Sequence, residues 1–336
     1  MLVMTSKGLF CPAGNFYIDP SRAVDHAVIT HAHSDHARRG SKQYYCNRSG
    51  ISLLKNRIGA KISVTGYDYN QEFYLNGVKL SFHSAGHILG SSQVRIEYGS
   101  EVWVASGDYK RESDPTCAPF EIVPCHVFVT EATFGAPRFK WPKEKNLGKE
   151  IFDWWQMNSE LGINCVLFAY SLGKAQRVLG VLEPYAKKPI FCHPSVSSLN
   201  DCYQQEGIRL ARTKCLSEIG TEEKLHGELF LVPPAFLKTE AAKVIGKHYE
   251  TAFASGWMAG GSSGFGRSSQ YDRGFVMSDH ADWADLVRTV QETNAKKVYV
   301  QHRGQGALVR HLRLLGLKAF SDADLFPKNP DQLMFF

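Results

Sequence analysis

The chain has 336 residues, of which 43% are hydrophobic and 12% aromatic, and it carries a formal net charge of +6. This composition excludes a disordered chain and predicts a folded globular protein of one large domain or two ordinary ones. No apolar run approaches the roughly 18 residues that span a bilayer, and the first ten residues do not resemble a secretory signal. We therefore expect a cytoplasmic protein that does not bind membranes. The mild positive charge fits a polyanionic substrate without indicating one.

Eight cysteines are spread along the chain, and none belongs to a Cys-x-x-Cys pair. Several lie in apolar, strand-like stretches such as Asn164–Phe168. We therefore expect reduced, mostly buried thiols, and neither a disulfide framework nor a cysteine-ligated zinc site.

The first 135 residues have the pattern of short strands joined by turns. The predicted strands are Phe16–Asp19, Ala27–Thr30, Gly77–Phe82, Gln93–Tyr98, Val102–Ala105 and His126–Glu131. The fourth and fifth of these are predicted to form a hairpin around Gly99 and Ser100.

Strands and helices alternate after residue 135, which is typical of a parallel sheet with crossover helices. The predicted elements are a helix over Leu147–Asn158, a strand over Cys165–Ala169, a helix over Leu172–Leu182, a strand over Gly274–Met277, a helix over Trp283–Thr293 and a strand over Lys297–His302. The glycine- and serine-rich stretch Gly256–Gly266 is predicted to be a loop or hinge.

The most informative motif is a loop that follows the apolar run Ala27–Thr30. It holds His31, His33, Asp35 and His36 within six residues. Imidazole nitrogen and carboxylate oxygen are ligands that zinc prefers. The first two histidines can face one metal and the last two residues a second, so one loop can begin two adjacent metal sites. The alternative is a polar loop whose histidines cap strands or contact solvent, but four such side chains rarely coincide at this spacing.

More ligand-type residues stand at or just after the ends of predicted strands. They are His87, Asp108, His280 and His302. Each of them alone is more often a structural residue. Together with the histidine loop, they favour a metal centre.

These residues resemble a known family. The motif His31-x-His33-x-Asp35-His36, with the later ligand-type positions, is similar to the metallo-β-lactamase fold. Three further features, Glu131, Ala169–Gln176 and His280, resemble the nucleic-acid-processing branch of that fold, the β-CASP nucleases. Within this branch, the chain most resembles the bacterial ligase-associated DNA exonucleases, over about residues 8–315. The segments that carry this resemblance are Gly8–Pro20, Gly107–Lys110, Pro115–Glu121 and Ser255–Met258.

The resemblance implies an α/β fold, an αββα metallo-β-lactamase sandwich with an inserted α/β β-CASP domain. The sandwich would comprise residues 1–135 and 271–336, and the inserted domain residues 136–270. The long separation between Asp108 and His302 is consistent with such an insertion.

The resemblance also implies two divalent metal ions, zinc in the sites or manganese as the activating metal. His31, His33 and His87 would hold the first metal, and Asp35, His36 and His302 the second. Asp108 would bridge both. Asp19 would support the histidine loop from outside the ligand set, although it could instead cap the turn before Pro20.

Four residues would act in catalysis: Asp35, Asp108, Glu131 and His280. Glu131 would orient His280, which would face the scissile phosphate as a general acid; Glu131 could instead be a surface carboxylate that ends a strand. From the residues themselves, Lys174 and Arg177 at a helix start, with Ser171, are predicted to contact substrate phosphates. A solvated helix face is the alternative.

The expected function is a two-metal DNA exonuclease that acts on single strands or strand ends in DNA repair, with a DNA ligase and a helicase as functional partners. The first alternative is an RNA-processing ribonuclease, exo- or endonucleolytic, because a histidine at His302 is common in RNA enzymes of this branch. The others are a small-molecule hydrolase, such as a thioesterase or lactamase, and a metal-free scaffold.

Overall fold

The computed structural model describes residues 1–143, 146–220, 225–263, 270–301 and 305–327. The chain divides into two compact units. The first unit is Met1–Arg138 with His280–Phe336, and the second unit is Phe139–Asp279. The domain limits expected from the sequence, after residues 135 and 270, stay predictions.

Strands are numbered in chain order through both units. They are β1 (Val3–Thr5), β2 (Gly8–Cys11), β3 (Phe16–Ile18), β4 (His26–Val28), β5 (Gln43–Asn47), β6 (Val64–Tyr67), β7 (Glu72–Leu75), β8 (Val78–Ser84), β9 (Ser92–Tyr98), β10 (Glu101–Ala105), β11 (Val127–Thr130), β12 (Asn164–Phe168), β13 (Ile190–Cys192), β14 (Thr213–Cys215), β15 (Leu229–Val232), β16 (Tyr249–Ala254), β17 (Arg273–Phe275), β18 (Lys297–Val300) and β19 (Lys318–Ser321). The α-helices are α1 (Ile51–Ile58), α2 (Leu147–Glu160), α3 (Lys174–Leu182), α4 (Pro194–Gln205), α5 (Trp283–Glu292) and α6 (Gln305–Leu314).

Two mixed sheets form the first unit. One has the order β1-β2-β3-β4-β5-β6 and the other the order β19-β18-β11-β10-β9-β8-β7. A single apolar cluster joins residues of both sheets, including Phe16 and Val28 from the first and Phe82 and Val94 from the second. The sheets therefore pack face to face around this core.

The second sheet of this unit is apolar on both faces. In β11, Val127 and Val129 lie in the core between the sheets, while Phe128 lies in a separate cluster with Leu286 of α5 and Leu312 of α6. The continuous apolar sequence of this strand follows from burial on both sides. Helices thus cover the outer face of the sheet.

The second unit contains a parallel sheet of order β14-β13-β15-β12-β16-β17. Successive residues of β12 face opposite sides, so Cys165 and Leu167 pack with α2 and α3, whereas Val166 and Phe168 pack in a second cluster. Apolar residues on both faces are typical of parallel sheets. The mixed α/β fold class expected from the sequence is confirmed.

Most elements lie where the sequence predicts them. The predicted hairpin is the antiparallel pair β9–β10, and the predicted second helix begins at Lys174 rather than Leu172. The sequence pattern does not indicate the short helix α1, because the first 135 residues have the pattern of strands and turns. All eight cysteines are free thiols.

The prediction of a loop over Gly256–Gly266 is wrong for its first part, because Gly256–Ser263 forms a 3₁₀ helix. Ser255 initiates it, with its carbonyl accepting from Met258 N at 3.1 Å. Met258 is buried in the second cluster of this unit, so tertiary packing outweighs the glycine-rich composition. Residues 264–266 lie outside the described residues. Within the described ranges, no helix is long and apolar enough to cross a membrane.

Leu179 lies fully buried in α3 in the core of the second unit, whereas Leu161, at the end of α2, is 70% exposed. We expect Leu179→Ala to lower the free energy of unfolding by about 2–5 kcal/mol, because it removes buried methyl groups and leaves a cavity. The matched change Leu161→Ala should alter it by less than about 0.5 kcal/mol. Urea unfolding of both variants checks this, and equal effects would contradict the assigned core.

Candidate metal centre

The histidine loop begins at the end of β4. Backbone hydrogen bonds from Ile29 N to Tyr45 O and from Ser92 N to Thr30 O, both 2.8 Å, continue the sheet up to the first histidine. The chain then turns, because His33 O accepts from the backbone N–H of residues 36 and 37 at 3.1 and 2.8 Å. This turn directs the imidazoles toward one point.

Three imidazoles and one carboxylate meet at that point. His31 Nε2 and His87 Nε2 lie 3.0 and 3.1 Å from His33 Nδ1. The ligand atoms of these histidines and of Asp108 all lie within 4.8 Å of one another. Ligand atoms around a tetrahedral zinc at about 2.0–2.1 Å lie about 3.3 Å apart, so this donor set fits a divalent cation by spacing and by chemistry.

Asp108 faces both halves of the predicted ligand set. Its Oδ2 lies 3.6 Å from His31 Nε2, 3.8 Å from His87 Nε2 and 3.5 Å from His36 Nε2. Gly107 before it has φ of +56°, and a Cβ there would lie 2.7 Å from Thr30 Cβ. Glycine is therefore needed to bring this carboxylate against the loop.

The buried charges of the centre compensate one another. Burial and the neighbouring imidazoles lower the pKa of His31 well below its ordinary value, which leaves the lone pair of its ring available to a metal. Burial opposes charge on Asp108, yet nearby imidazoles, His36 foremost, hold the pKa of this carboxyl well below its usual range. Burial also opposes charge on His36, but Asp108 and Asp19 raise its pKa well above the ordinary value.

Asp19 supports the loop through hydrogen bonds. Its Oδ1 accepts from Thr30 N at 2.8 Å, and its Oδ2 accepts from Thr30 Oγ1 at 2.6 Å. The same Oδ2 lies 2.7 Å from His36 Nδ1, so the opposite ring nitrogen, Nε2, points toward Asp108. Asp19 has φ of 44°, a region in which aspartate is tolerated more than most residues.

Only part of the predicted second metal site is described. The side chain of Asp35 is 72% exposed, and its Oδ2 lies 3.8 Å from His36 Nε2. His302, the remaining predicted ligand, lies outside the described residues. The structure therefore brings four predicted ligands close together, with Asp35 and His36 beside them.

Glu131 and His280 form a pair next to this cluster. His280 Nδ1 lies 3.1 and 3.0 Å from the two carboxylate oxygens. Tyr109 N donates to Glu131 Oε1 at 2.7 Å, and Thr133 N to Oε2 at 3.3 Å. Glu131 is buried, and its ligand atoms, with those of Asp108 and His280, lie within 4.8 Å of one another. The ring is thus held with its Nε2 facing away from the carboxylate.

The residues predicted to contact phosphate do not form a solvated helix face. Lys174 and Arg177 are buried in the second unit, and Lys174 Nζ lies 2.8 Å from Asp279 Oδ2. The hydroxyl of Ser171 lies 2.8 Å from that of Ser195 and is partly exposed. A role in phosphate binding stays a prediction for these residues.

Sequence reasoning missed one support of the centre and one buried ion pair that follows Asp108 in the chain. Thr30, treated only as the end of an apolar run, links Asp19 to the loop and lies with its Oγ1 3.0 Å from His31 Nδ1. The fully buried Lys110 pairs with Asp114 at 2.5 Å just after Asp108. Their opposite charges at an i, i+4 spacing were visible in the sequence, but burial was not.

Known proteins resemble the chain over different spans. A probable DNA ligase of Opitutus terrae is 29% identical over 95% of this chain and 31% of its own length. An RNase J-like protein of Methanocaldococcus jannaschii is 25% identical over 55% of this chain and 49% of its own length. Endoribonuclease YSH1 of Yarrowia lipolytica is 30% identical over 40% of this chain and 16% of its own length. The chain thus spans half or less of these relatives.

No protein-family model matches the chain. A crystal structure of a protein of unknown function from Enterococcus faecalis V583 has a TM-score of 0.54 and 12% identity, covering 83% of this chain and 76% of that one. Together with the sheets described above, the relatives bear out the mixed α/β fold class predicted from the sequence, and two of them are ribonucleases by name.

We expect Asp19→Asn to weaken metal binding about 10- to 100-fold, because the carboxylate orients His36 and completes the loop. Asp25→Asn is the matched control, since Asp25 is exposed and pairs only with Lys42 among the ion pairs described here. Competition with a chelator, followed by elemental analysis, measures the affinity. Equal affinities in the two variants would remove Asp19 from the supporting set.

Proposed function

We propose that this protein is a metal-dependent nuclease that hydrolyses phosphodiester bonds. The observation that carries the proposal is the meeting of two groups at Asp108. Its carboxylate belongs to the cluster with His31, His33 and His87 and also to the group with Glu131 and His280. A set of possible metal ligands thus adjoins a carboxylate-bound imidazole, and the two together would supply metal activation of water and a proton donor for phosphodiester hydrolysis.

Two divalent cations, zinc or manganese, would be held by the four residues of the histidine loop, including Asp35, together with His87, Asp108 and His302. When bound, such ions stabilise negative charge on the phosphate and lower the pKa of bound water toward about 7. The oxygen-to-phosphorus bond forms from a water molecule, whose proton passes to solvent. The ester bond on the opposite side of the phosphorus breaks.

His280 would supply the proton that the leaving oxygen needs. Its Nδ1 is fixed by Glu131, so Nε2 is the atom that donates. Its side chain is 19% exposed, which leaves this imidazole accessible to a substrate. Histidine exchanges protons near neutral pH, and solvent returns the proton after each turnover.

We further propose that the substrate is DNA and that cleavage proceeds from strand ends, as in the ligase-associated exonucleases that the sequence resembles. The relative named a probable DNA ligase aligns with 95% of this chain, whereas the RNase J-like protein aligns with 55%. This difference favours DNA over RNA as the substrate, and we propose a cytoplasmic role in DNA repair alongside a DNA ligase and a helicase. The names of the RNA nucleases support the ribonuclease alternative.

Matched, end-labelled DNA and RNA oligonucleotides of one sequence, single- and double-stranded, test the proposal with zinc or manganese. We expect metal-dependent release of short products from DNA ends, abolished by a chelator and restored by the metal. Preferential RNA cleavage would establish the ribonuclease alternative. Cleavage of neither, with turnover of a thioester or lactam instead, would overturn the nuclease proposal.

We expect His280→Ala to keep its metal content but lose about 100-fold or more in kcat, because the leaving oxygen is no longer protonated. His83→Ala is the matched control, since His83 pairs with Glu121 and Ser81 outside the centre. Elemental analysis and initial rates on the preferred oligonucleotide measure both effects. Loss of metal in the His280 variant alone would place this histidine among the ligands.

A further inference from the structure

We infer that Cys192 and Cys215 form a reversible disulfide when a peroxide is present, and that the hydroxyl of Ser197 assists by activating Cys215. The second unit then carries an oxidation site of its own. All three residues lie in this unit, within one sheet and the helix packed on it. The inference is independent of the proposed nuclease function.

The two cysteines stand opposite each other in the parallel pair β13–β14, in which Cys192 is the partner of Cys215. In the strand registers that the structure describes, no other cysteine faces a second one. Neighbouring strands lie about 4.7–4.9 Å apart, and the Cα atoms of a disulfide lie about 4.4–6.8 Å apart. The backbone spacing that a disulfide needs is therefore already present.

Both thiols lie on the side of the sheet that faces α4. The preceding pair in the register shares the opposite face, because Lys214 Nζ lies 5.9 Å from the centre of the Phe191 ring. Phe191 packs in the second cluster of this unit, whereas Cys192 packs with Val196 of α4 in the first. Successive residues of a strand face opposite sides, so Cys215 lies on the same side as Cys192.

The position of β14 allows the remaining approach. A disulfide draws its two Cβ atoms to about 3.8 Å, which is closer than the spacing of the strands. β14 is the end strand of its sheet, is three residues long and has no fully buried residue. It can therefore move toward β13 without displacing a strand on its other side.

Two buried donors of α4 lie beside the thiols. Ser197 Oγ and Asn200 Nδ2 are buried and have no hydrogen-bond partner within the usual distance among the described residues. They stand three residues apart, so they lie on one face of the helix. A donor left without a partner in the interior is costly, and negative charge on a neighbouring sulfur would supply one.

The two thiols differ in reactivity, which sets the order of events. Burial raises the pKa of the Cys215 thiol, but the donors of Ser217 and Ser197 outweigh it and bring the pKa below its ordinary value. Cys215 is half-buried, and its Sγ lies 3.0 Å from Ser217 Oγ. Cys192 is fully buried, and burial raises the pKa of its thiol. Cys215 is therefore the thiol that a peroxide attacks first.

The chemistry takes two steps. The Cys215 thiolate attacks one oxygen of hydrogen peroxide, the O–O bond breaks, and Cys215 becomes a sulfenic acid while hydroxide leaves and takes up the thiol proton as water. The sulfur of Cys192 then attacks the sulfur of Cys215, the S–O bond breaks, and the hydroxyl leaves as water with the proton of Cys192. Two thiols are oxidised and one peroxide is reduced to two waters.

The test treats the full-length protein with a small excess of hydrogen peroxide, alkylates the remaining thiols after denaturation and maps the peptides by mass spectrometry. We expect a peptide pair linked through Cys192 and Cys215, which a thiol reductant separates again. Absence of this link in the wild-type protein would overturn the inference. A link from either residue to another cysteine or to a second chain would do the same.

Two variants separate the roles of the cysteines. In Cys192→Ala the disulfide should be lost, and a 1,3-diketone probe should trap sulfenic acid at Cys215. In Cys215→Ser the disulfide should be lost and the probe should find no sulfenic acid at Cys192. Cys117→Ser is the control, because Cys117 is also not fully buried, and it should leave the link intact. The reverse pattern, with sulfenic acid at Cys192, would overturn the assigned order.

The role of Ser197 has its own measurement. We expect Ser197→Ala to slow the reaction of Cys215 with peroxide about fivefold, because one hydrogen bond to the thiolate is lost. Ser198→Ala is the matched control, since Ser198 is the next residue of α4 and is exposed, and it should leave the rate unchanged. Equal rates in the two variants would overturn the part assigned to Ser197.

Discussion

The crowding of imidazole rings around one buried carboxylate is the interaction on which the centre depends. Asp108 is buried, and its ionised form persists because imidazoles surround it. His31 in the same place is kept neutral by burial and by its neighbours. The charges in this cluster compensate one another, but several nitrogen lone pairs converge on one point and repel each other. A divalent cation is the partner that this arrangement favours.

The fold supplies the rigidity that this crowding requires. The histidine loop follows the end of β4 in one of the two sheets that pack on a common core. Asp108 follows the end of β10 in the other sheet. A sandwich of sheets places such strand ends opposite one another without help from long loops. Gly107 permits the closest approach between them, against Thr30. The arrangement of these side chains therefore depends on the packing of the two sheets as well as on the turn of the histidine loop.

The strands of the first unit and the meeting of His31, His33, His87 and Asp108 at their ends could be predicted from the sequence, because both follow from local signals. Spacing within the histidine loop and alternation along β8, β9 and β10 depend on neighbours in the chain. The burial of Lys174 and Arg177 could not be predicted, because a basic helix start has the same sequence pattern whether it is solvated or buried. Both are buried and pair with Asp279, which lies about a hundred residues later in the chain. The 3₁₀ helix over Gly256–Ser263 was missed for the same reason, because its packing is tertiary.

Glu131 contacts both the residue after Asp108 and the ring of His280, and this double contact sets the distance between Asp108 and His280. One of its oxygens accepts from Tyr109 N, directly after Asp108, and both lie against His280 Nδ1. The separation between the ligand carboxylate and the imidazole is therefore fixed by a single carboxyl group rather than by two independent loops. In the proposed nuclease, this separation would set the distance between the phosphate oxygens at the metal centre and the leaving oxygen that His280 protonates. Shortening Glu131 by one methylene would change the separation between Asp108 and His280, and in the proposed nuclease it would thereby change which bond lies within reach of the imidazole.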